Sequence, residues 1–359
     1  MSGLGYRELL AAPVNVTWEI TRKCNLHCRH CLSADLMEQR CDELDLAACR
    51  RFLDELDRME VFQVNFGGGE PFLRGDFLDI LGYAHAKRIT TCVSTNGTML
   101  DEVLANRLAG MDYLYIQVSL DGATPGTNDP IRGEGTFERI VSGIEMLVRH
   151  GFPTHKLSTN TVVTAVNFKD ILQIYRLGRR YGVKTRLSRF RPSGNGRRVW
   201  QEYHLDAGQL AELSAFLSAH RDLLTGDSFF SIIAEDRRDL GLNMCGAARI
   251  TCSVTPDGSV YPCAFLQDPA FRSGNITDES LKFIWQNGPS FRALRSVRIE
   301  SCERCGRFSI CHGGCPAVAY FLTRSFNQAD PECMAAFQKD GNGRRGLKWQ
   351  DSSNIFFRR

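Results

Sequence analysis

The sequence predicts an α/β protein: a partial (β/α)6 TIM-like barrel followed by a cysteine-rich C-terminal domain. Three observations lead there. Six apolar, β-branched runs alternate with helical patterns over the first half of the chain; the unusual glycine-rich and polar signatures follow those runs; and eight of the 14 cysteines fall between Cys245 and Cys333.

Strands are expected at "VNVTWEI" (14–20), "VFQVNFGG" (61–68), "TTCVSTNG" (90–97), "YLYIQVSLDG" (113–122), "LSTNTVVT" (157–164) and "VKTRLSRF" (183–190). Between them lie "LAACRRFLDELDRM", "DFLDILGYAHAK", "DEVLANRLAG", "TFERIVSGIEMLVRHG" and "DILQIYRLGRRYG". Several of these open on an acidic or hydroxyl residue and close on glycine, the asymmetry of helix caps. Strand and helix in alternation demand a parallel sheet, and repeated right-handed crossovers curl it into a barrel or partial barrel. The chain divides into an N-terminal extension (1–13), the barrel (14–200), a helical linker (201–240), the cysteine-rich domain (241–335) and a tail (336–359).

At 359 residues the chain exceeds the size of one ordinary core, and 43% apolar residues allow a large one. A formal charge of +3, with no stretch concentrating Lys and Arg, excludes a nucleic-acid footprint. The start, "MSGLGYRELLAAPVNV", has no basic region followed by an apolar run, and no later stretch is long and apolar enough to span a membrane. A soluble cytoplasmic protein is expected, whose cysteines stay reduced and serve metal ligation or thiol chemistry.

In βα barrels the chemistry gathers where the strands end. There stand Cys24, "GGGEP" (67–71), "STNG" (94–97), "SLDG" (119–122) and "SRFRPSG" (188–194). Each alone is explained as a tight turn; in shared register they line one mouth. Gly67, Gly68 and Gly69 let a ligand approach the backbone, Glu70 offers a carboxylate to an ammonium, and Asn96, Ser119 and Asp121 offer hydrogen bonds to hydroxyls or a carboxylate. Such a mouth suits a zwitterionic, sugar-bearing small molecule. The stretch "KCNLHCRHC" adds Cys24, Cys28 and Cys31. Three thiolates hold three irons of a 4Fe-4S cube and leave the fourth open to an exogenous ligand. The competing explanation, zinc completed by His27 or His30, or free thiols, leaves the strand-end signatures unexplained. "GEG" (133–135) and "GNG" (194–196) lack the remaining glycines of a dinucleotide fingerprint, and no Gly-Lys-Ser/Thr occurs.

The Cys-x3-Cys-x2-Cys spacing with "GGE" at Gly68 to Glu70 resembles the radical S-adenosylmethionine (radical SAM) superfamily. The resemblance implies a SAM-binding 4Fe-4S cluster on Cys24, Cys28 and Cys31, with His30 against the adenine. It implies Gly68, Gly69 and Glu70 at the methionine amino group, and Asn96, Ser119 and Asp121 at ribose or carboxylate. Arg189 and Arg191 are candidates for a carboxylate of SAM or of a peptide. The later cysteines, Cys245-x6-Cys252-x10-Cys263, then Cys302-x2-Cys305-x5-Cys311-x3-Cys315, then Cys333, resemble the SPASM extension of peptide-modifying members. That resemblance implies two auxiliary 4Fe-4S clusters, one on Cys245, Cys252, Cys263 and Cys315, the other on Cys302, Cys305, Cys311 and Cys333. Two zinc knuckles are the alternative. Cys41 has no assigned role, and Cys49 and Cys92 are expected to pack as small hydrophobes.

"SLDGATPGTNDPIRGEGTF", "RFRPSGNGRRVW", "LLTGDSFF" and "GLNMCGAARITC" further resemble the mycofactocin radical SAM maturases, from about Val14 to Cys333. This implies oxidative decarboxylation of a C-terminal Tyr on a small ribosomal precursor peptide, then Val-Tyr carbon-carbon crosslinking. It also implies a separate peptide-binding chaperone and an external electron donor such as flavodoxin or ferredoxin. The tail ending "SSNIFFRR" is shorter than that family's. Alternatives are a sulfatase-maturing (formylglycine-generating) enzyme, a quinone-cofactor or thioether-forming peptide cyclase, and, outside enzymes, a multi-cluster electron carrier.

Overall fold

The computed structural model describes residues 10–39, 42–225, 245–306 and 308–333. Six parallel strands follow one another in chain order: β1 (Asn15–Thr21), β2 (Gln63–Gly68), β3 (Thr90–Thr95), β4 (Leu114–Ser119), β5 (Leu157–Val163) and β6 (Lys184–Arg189). The crossovers carry α1 (Leu46–Arg58), α2 (Phe77–Ala86), α3 (Glu102–Ala109), α4 (Pro125–Arg132), α5 (Thr136–Arg149) and α6 (Ile171–Arg180). Asp45 caps α1 by accepting from Ala48 N, and Asp101 caps α3 by accepting from Leu104 N, as the sequence pattern leads one to expect. All six expected strands and the helices between them are present, so the chain folds as a partial TIM-like barrel.

Each strand has two chemically different faces, because successive side chains alternate. Val16, Trp18 and Ile20 of β1, Val64 and Phe66 of β2 and Val93 of β3 are buried toward the helices. There Trp18 meets Phe52 of α1 edge-on at 4.9 Å. The opposite face carries Thr17 and Glu19, Asn65 and Gly67, Cys92 and Ser94, Gln117 and Ser119, then Asn160 and Ser188. This lumen is polar and half-open. Cys92 therefore departs from the expectation of a core-packing thiol, since the alternation of β3 turns it to the lumen side with Ser94. Cys49, by contrast, is buried in α1, and Cys41 lies outside the described residues.

The cysteine-rich domain continues the sheet of the barrel. Its first strand, β7 (Thr251–Val254), pairs parallel with β1 on the edge away from β2, in the register Val16↔Cys252 and Trp18↔Val254. β8 (Ser259–Tyr261) and β9 (Gly274–Asn275) then add antiparallel, giving a nine-stranded sheet ordered β6-β5-β4-β3-β2-β1-β7-β8-β9. At the far edge, residues of the expected linker cover β6. Leu210, Leu213 and Leu217 of α7 (Ala207–Ala219) pack with Leu187, and Leu224 exchanges backbone hydrogen bonds with Thr185 and Leu187. α8 (Leu281–Asn287), α9 (Pro289–Ser296) and α10 (Pro316–Thr323) complete the second domain. No helix of the described residues is long and apolar enough to cross a membrane.

The loops after β1 and β2 meet backbone to backbone. Gly69 N donates to Thr21 O (2.8 Å) and Glu70 N to Lys23 O (2.7 Å). Gly68 sits at φ +117°, open only to glycine at low cost, and a Cβ on Gly69 would collide with the Lys23 carbonyl oxygen. The collision is with backbone, which cannot rotate away. Gly69→Ala should therefore cost about 2–3 kcal/mol of stability, whereas Gly75→Ala, with nothing within 4 Å of its Cβ, should be near neutral. Urea unfolding of the two variants checks this, and equal midpoints would refute the packing role.

Candidate metal and cofactor site

The loop from Cys24 to Cys31 has almost no secondary structure of its own, so other strand ends must hold it. Its three thiols are charge neighbours of one another. Burial pushes each upward, Cys31 to about 12. Metal loading must therefore expel their protons, coupling affinity to pH. Arg132, at the end of α4, opposes this at Cys28: its Nη1 lies 4.0 Å from the Cys28 Sγ, and its charge lowers that thiol's pKa.

Two strand-end residues predicted to touch the ligand, a carboxylate and an amide, are arranged differently from the expectation. Asp121 is fully buried. It accepts from Val162 N (2.9 Å) and pairs with His30 Nε2 and Arg132 Nε, both at 2.8 Å. Burial alone would raise its pKa, but Arg132 and His30 outweigh it and hold the carboxyl at about 2. Asp121 thus does not face ribose; it fixes His30, which does lie in the cysteine loop, and Arg132 beside Cys28. Asn96 is also turned inward. Its Nδ2 donates to Asn25 Oδ1 (2.9 Å) and approaches Cys24 Sγ (3.9 Å), while its Oδ1 accepts from Thr98 N (2.9 Å) and Oγ1 (2.7 Å). With its polar atoms spent on the loop, it is a brace. Ser119, by register, remains on the lumen side, half-buried.

Glu70 is wholly buried and holds the same mouth together. Oε1 accepts from Thr95 Oγ1 (2.8 Å) and Oε2 from Asn96 N (2.7 Å). These donors are neutral, so burial dominates and raises the carboxyl to about 7. An ammonium at this carboxylate would supply the missing positive charge, and Gly68 and Gly69 place the backbone alongside. His30 keeps its Nδ1 buried without a hydrogen-bond partner among the described residues, which gives a bound ring nitrogen or amine something to meet.

Sequence reasoning passed over Glu19. Its carboxylate accepts from Ser33 Oγ (3.1 Å) and from Gln267, and Gln267 Nε2 reaches Ser253 Oγ at 2.8 Å. Burial raises Glu19 to about 7. A buried-looking "WEIT" run gave one signal, an acid at a lumen position of β1; Arg132 and Asp330 gave none, because their partners are remote in sequence.

Further on, Cys302, Cys305, Cys311 and Cys333 are mutual charge neighbours, the set expected for the second auxiliary cluster. Cys245, Cys263 and Cys315 form another group. Cys252 is not with them. It sits inside β7, fully buried on the Val16 face, and the charge that acts on it is Arg295 of α9. The strand that carries it turns its thiol into the hydrophobic layer. Among the described residues no three His, Cys, Asp or Glu side chains lie close enough to share one metal ion. A cube's thiolates each take a different iron and stand wider apart than four on one zinc.

Arg189 also departs from the expected ligand contact. It is buried, with Nη2 donating to Asp330 Oδ1 and Nε to Glu332 Oε2, each at 2.7 Å. Asp330 Oδ2 accepts from Cys315 N at 2.8 Å. The guanidinium therefore ties β6 to the two loops that carry Cys315 and Cys333.

The radical SAM superfamily profile matches residues 18–178, and the SPASM iron-sulfur cluster-binding domain matches residues 245–306. Mycofactocin maturase MftC of Mycobacterium ulcerans is 41% identical over 333 residues, covering 91% of this chain and 89% of the relative. The protein of the same name from Mycolicibacterium smegmatis is 41% identical over 90% of this chain and 83% of the relative. In fold, the chain is similar to Streptococcus suis SuiB bound to S-adenosylmethionine (TM-score 0.73, 20% identity, 91% of this chain and 78% of that one). It is similar as well to anSMEcpe with bound AdoMet and a peptide (TM-score 0.69, 20% identity, 89% and 93%). Three thiols at the mouth of a partial barrel, a cysteine-rich domain grown from the same sheet and 41% identity over nearly the whole chain agree: the chain belongs to the radical SAM superfamily, to its SPASM-bearing mycofactocin maturase family.

Proposed function

We propose that this enzyme matures a small ribosomally made precursor peptide, removing the carboxylate of its C-terminal Tyr oxidatively and then joining that residue to the preceding Val by a carbon-carbon bond. The observation that carries this is the near full-length identity of 41% to mycofactocin maturases, on a chain whose cysteine-rich domain shares one sheet with the barrel. On this reading the chain holds three 4Fe-4S clusters, on Cys24, Cys28 and Cys31, on the Cys245 group and on the Cys302 group, and the proximity of the thiols within each group supports it. A separate peptide-binding chaperone and a flavodoxin or ferredoxin donor complete the system.

Bound at the mouth, the first cluster and SAM supply a carbon radical able to abstract hydrogen. The chain's own residues orient the parts. Glu70 accepts the methionine ammonium, Gly68 and Gly69 admit the amino acid end to the backbone, and His30 meets the adenine from the position Asp121 fixes. Ser119 and the polar lumen face the sugar and the peptide. Positioning matters because a primary radical attacks whatever lies beside it. Loss of hydrogen from the Tyr β-carbon and of the carboxylate as carbon dioxide leaves one surplus electron, so the first half-reaction needs an acceptor; crosslinking to Val returns one.

Incubated anaerobically with reductant, SAM, chaperone and a peptide ending in Val-Tyr, the enzyme should yield the decarboxylated and then the crosslinked peptide by mass spectrometry. An unchanged peptide, with another modified in its place, would overturn the substrate.

Glu70→Gln keeps the shape but removes the charge. SAM affinity should fall about tenfold or more, the scale of a charge-assisted hydrogen bond, with iron content unchanged. Calorimetric titration on reconstituted protein decides, and parental affinity would remove Glu70 from the ammonium site.

Reconstituted parent should hold about twelve irons and the Cys24, Cys28, Cys31 triple Ala variant about eight, four per cube. Folded Cys311→Ala or Cys333→Ala protein should still cleave SAM while decarboxylation drops sharply. Parental decarboxylation without the auxiliary clusters would sink the electron-acceptor requirement.

A further inference from the structure

The loop that follows β6 is seated on the first cysteine loop through backbone contacts. Asn195 N donates to Cys31 O at 2.9 Å, and Asn195 Nδ2 donates to Cys28 O at 3.2 Å. Gly194 stands at φ +53°, where a Cβ would come within 2.4 Å of the Cys31 and Leu32 carbonyl oxygens. The loop therefore carries Arg197 to a fixed place beside Cys31. Between this loop, residues 32–39 and residues 264–269, which follow Cys263, lies an open cleft of about 440 Å³. That is within the size range of small-ligand sites.

Apolar walls come from Leu32, Leu36, Phe265 and Phe321, and two polar side chains at the cleft are incompletely matched. Ser193 is buried, and its Oγ has no hydrogen-bond partner among the described residues. Arg197 gives Nη2 to Asp35, a half-exposed carboxylate, and its other guanidinium nitrogens have no carboxylate partner among the described residues. Its Cζ lies 5.6 Å from the centre of the Phe321 ring. Burial lowers its pKa, the charges of Arg198 and Arg324 lower it further, and Asp268 opposes them. A guanidinium in that field, with its fork of donors partly used, is completed by a carboxylate from outside. Arg189, expected to offer such a contact, is taken by Asp330 and Glu332.

We propose that this cleft receives the C-terminal residue of the precursor peptide, with its aromatic ring against Leu32, Phe265 and Phe321, its carboxylate on Arg197 and a further polar atom on Ser193. The site rests on the reading of the substrate as a peptide ending in Tyr and supplies the element that recognises that end. A residue held there lies between the loop of Cys31 and the loop of Cys263. Arg197 binds the group that the reaction removes, so departure of carbon dioxide breaks the contact and frees the residue to turn towards Val.

The test compares a peptide ending in Val-Tyr as its free acid with the same peptide as its C-terminal amide, each titrated by fluorescence anisotropy onto reconstituted enzyme with SAM and chaperone present. The parent should bind the acid about tenfold more tightly, the scale of a charge-assisted hydrogen bond, and Arg197→Gln should bind both forms as the parent binds the amide. Arg197→Lys, which keeps a charge, should recover part of the preference, while iron content and circular dichroism report the fold. A preference that survives in Arg197→Gln, or a parent that shows none, overturns the carboxylate site even where the parent decarboxylates the acid, an outcome that keeps the substrate reading. A parent that binds neither form and leaves the acid unchanged overturns that reading and this site with it. Loss of SAM affinity in Arg197→Gln with the peptide preference kept assigns the guanidinium to the carboxylate of SAM and also overturns the proposal.

Discussion

β1 is hydrogen-bonded on both edges, to β2 of the barrel and to β7 of the cysteine-rich domain, and the rest of the molecule depends on that double pairing. The loop that leaves β1 carries Cys24, Cys28 and Cys31, so the first thiol group is fixed relative to the auxiliary ones by backbone ladders. Side chains reinforce the tie. Glu19 of β1 is reached by Ser33, two residues beyond Cys31, and by Gln267, four beyond Cys263. A chemistry that must pass single electrons between centres gains from such stiffness, because the two loops cannot drift apart without breaking strand pairing.

The buried charges fall into two kinds. Asp121 with Arg132 and His30, and Arg189 with Asp330 and Glu332, are compensated within the chain. Breaking either set would strand a charge in low dielectric, at a cost of several kcal/mol, about 3–5 for a typical buried pair. Glu70 and Glu19 take hydrogen bonds from neutral donors, and burial lifts both to about 7. A carboxyl poised in that way at a ligand mouth is completed by a cation from outside. The compensated sets are scaffold, and of the two raised carboxyls Glu70 is the one at the mouth where the proposed SAM ammonium would complete it.

The barrel was legible because strand alternation, caps and strand-end signatures are local, and Cys24, Cys28, Cys31 and the glycines before Glu70 share one short span or one strand end. What the sequence could not disclose depends on facing. Asp121 and Asn96 stand at the right strand ends but point into the loop braces, since their partners, Arg132 and Asn25, belong to other elements. Arg189 turned to Asp330, 141 residues away. Cys252 fitted a spacing rule that ignores strand parity, and "TCSV" is too short a run to announce that it continues the barrel sheet. The remaining segments, including most of "LLTGDSFF" and the tail 336–359, lie outside the described residues.

Each set of thiols at or near the mouth has a guanidinium beside it: Arg132 at Cys28, Arg191 at Cys245 and Cys263, Arg189 near Cys315. Burial raises the Cys24, Cys28, Cys31, Cys245 and Cys263 thiols, and in the metal-free protein Arg132 and Arg189 are offset by Asp121, Asp330 and Glu332. Once thiolates form, the same guanidiniums lie against new negative charge, and their positions are already set by those carboxylates. The carboxylates therefore act on the metal sites at one remove, by fixing where positive charge waits. That explains why Asp121, first read as a ligand contact, is buried behind Arg132 instead: in a mouth that hosts thiolate-bound iron, an exposed carboxylate repels, while one screened by an arginine organises.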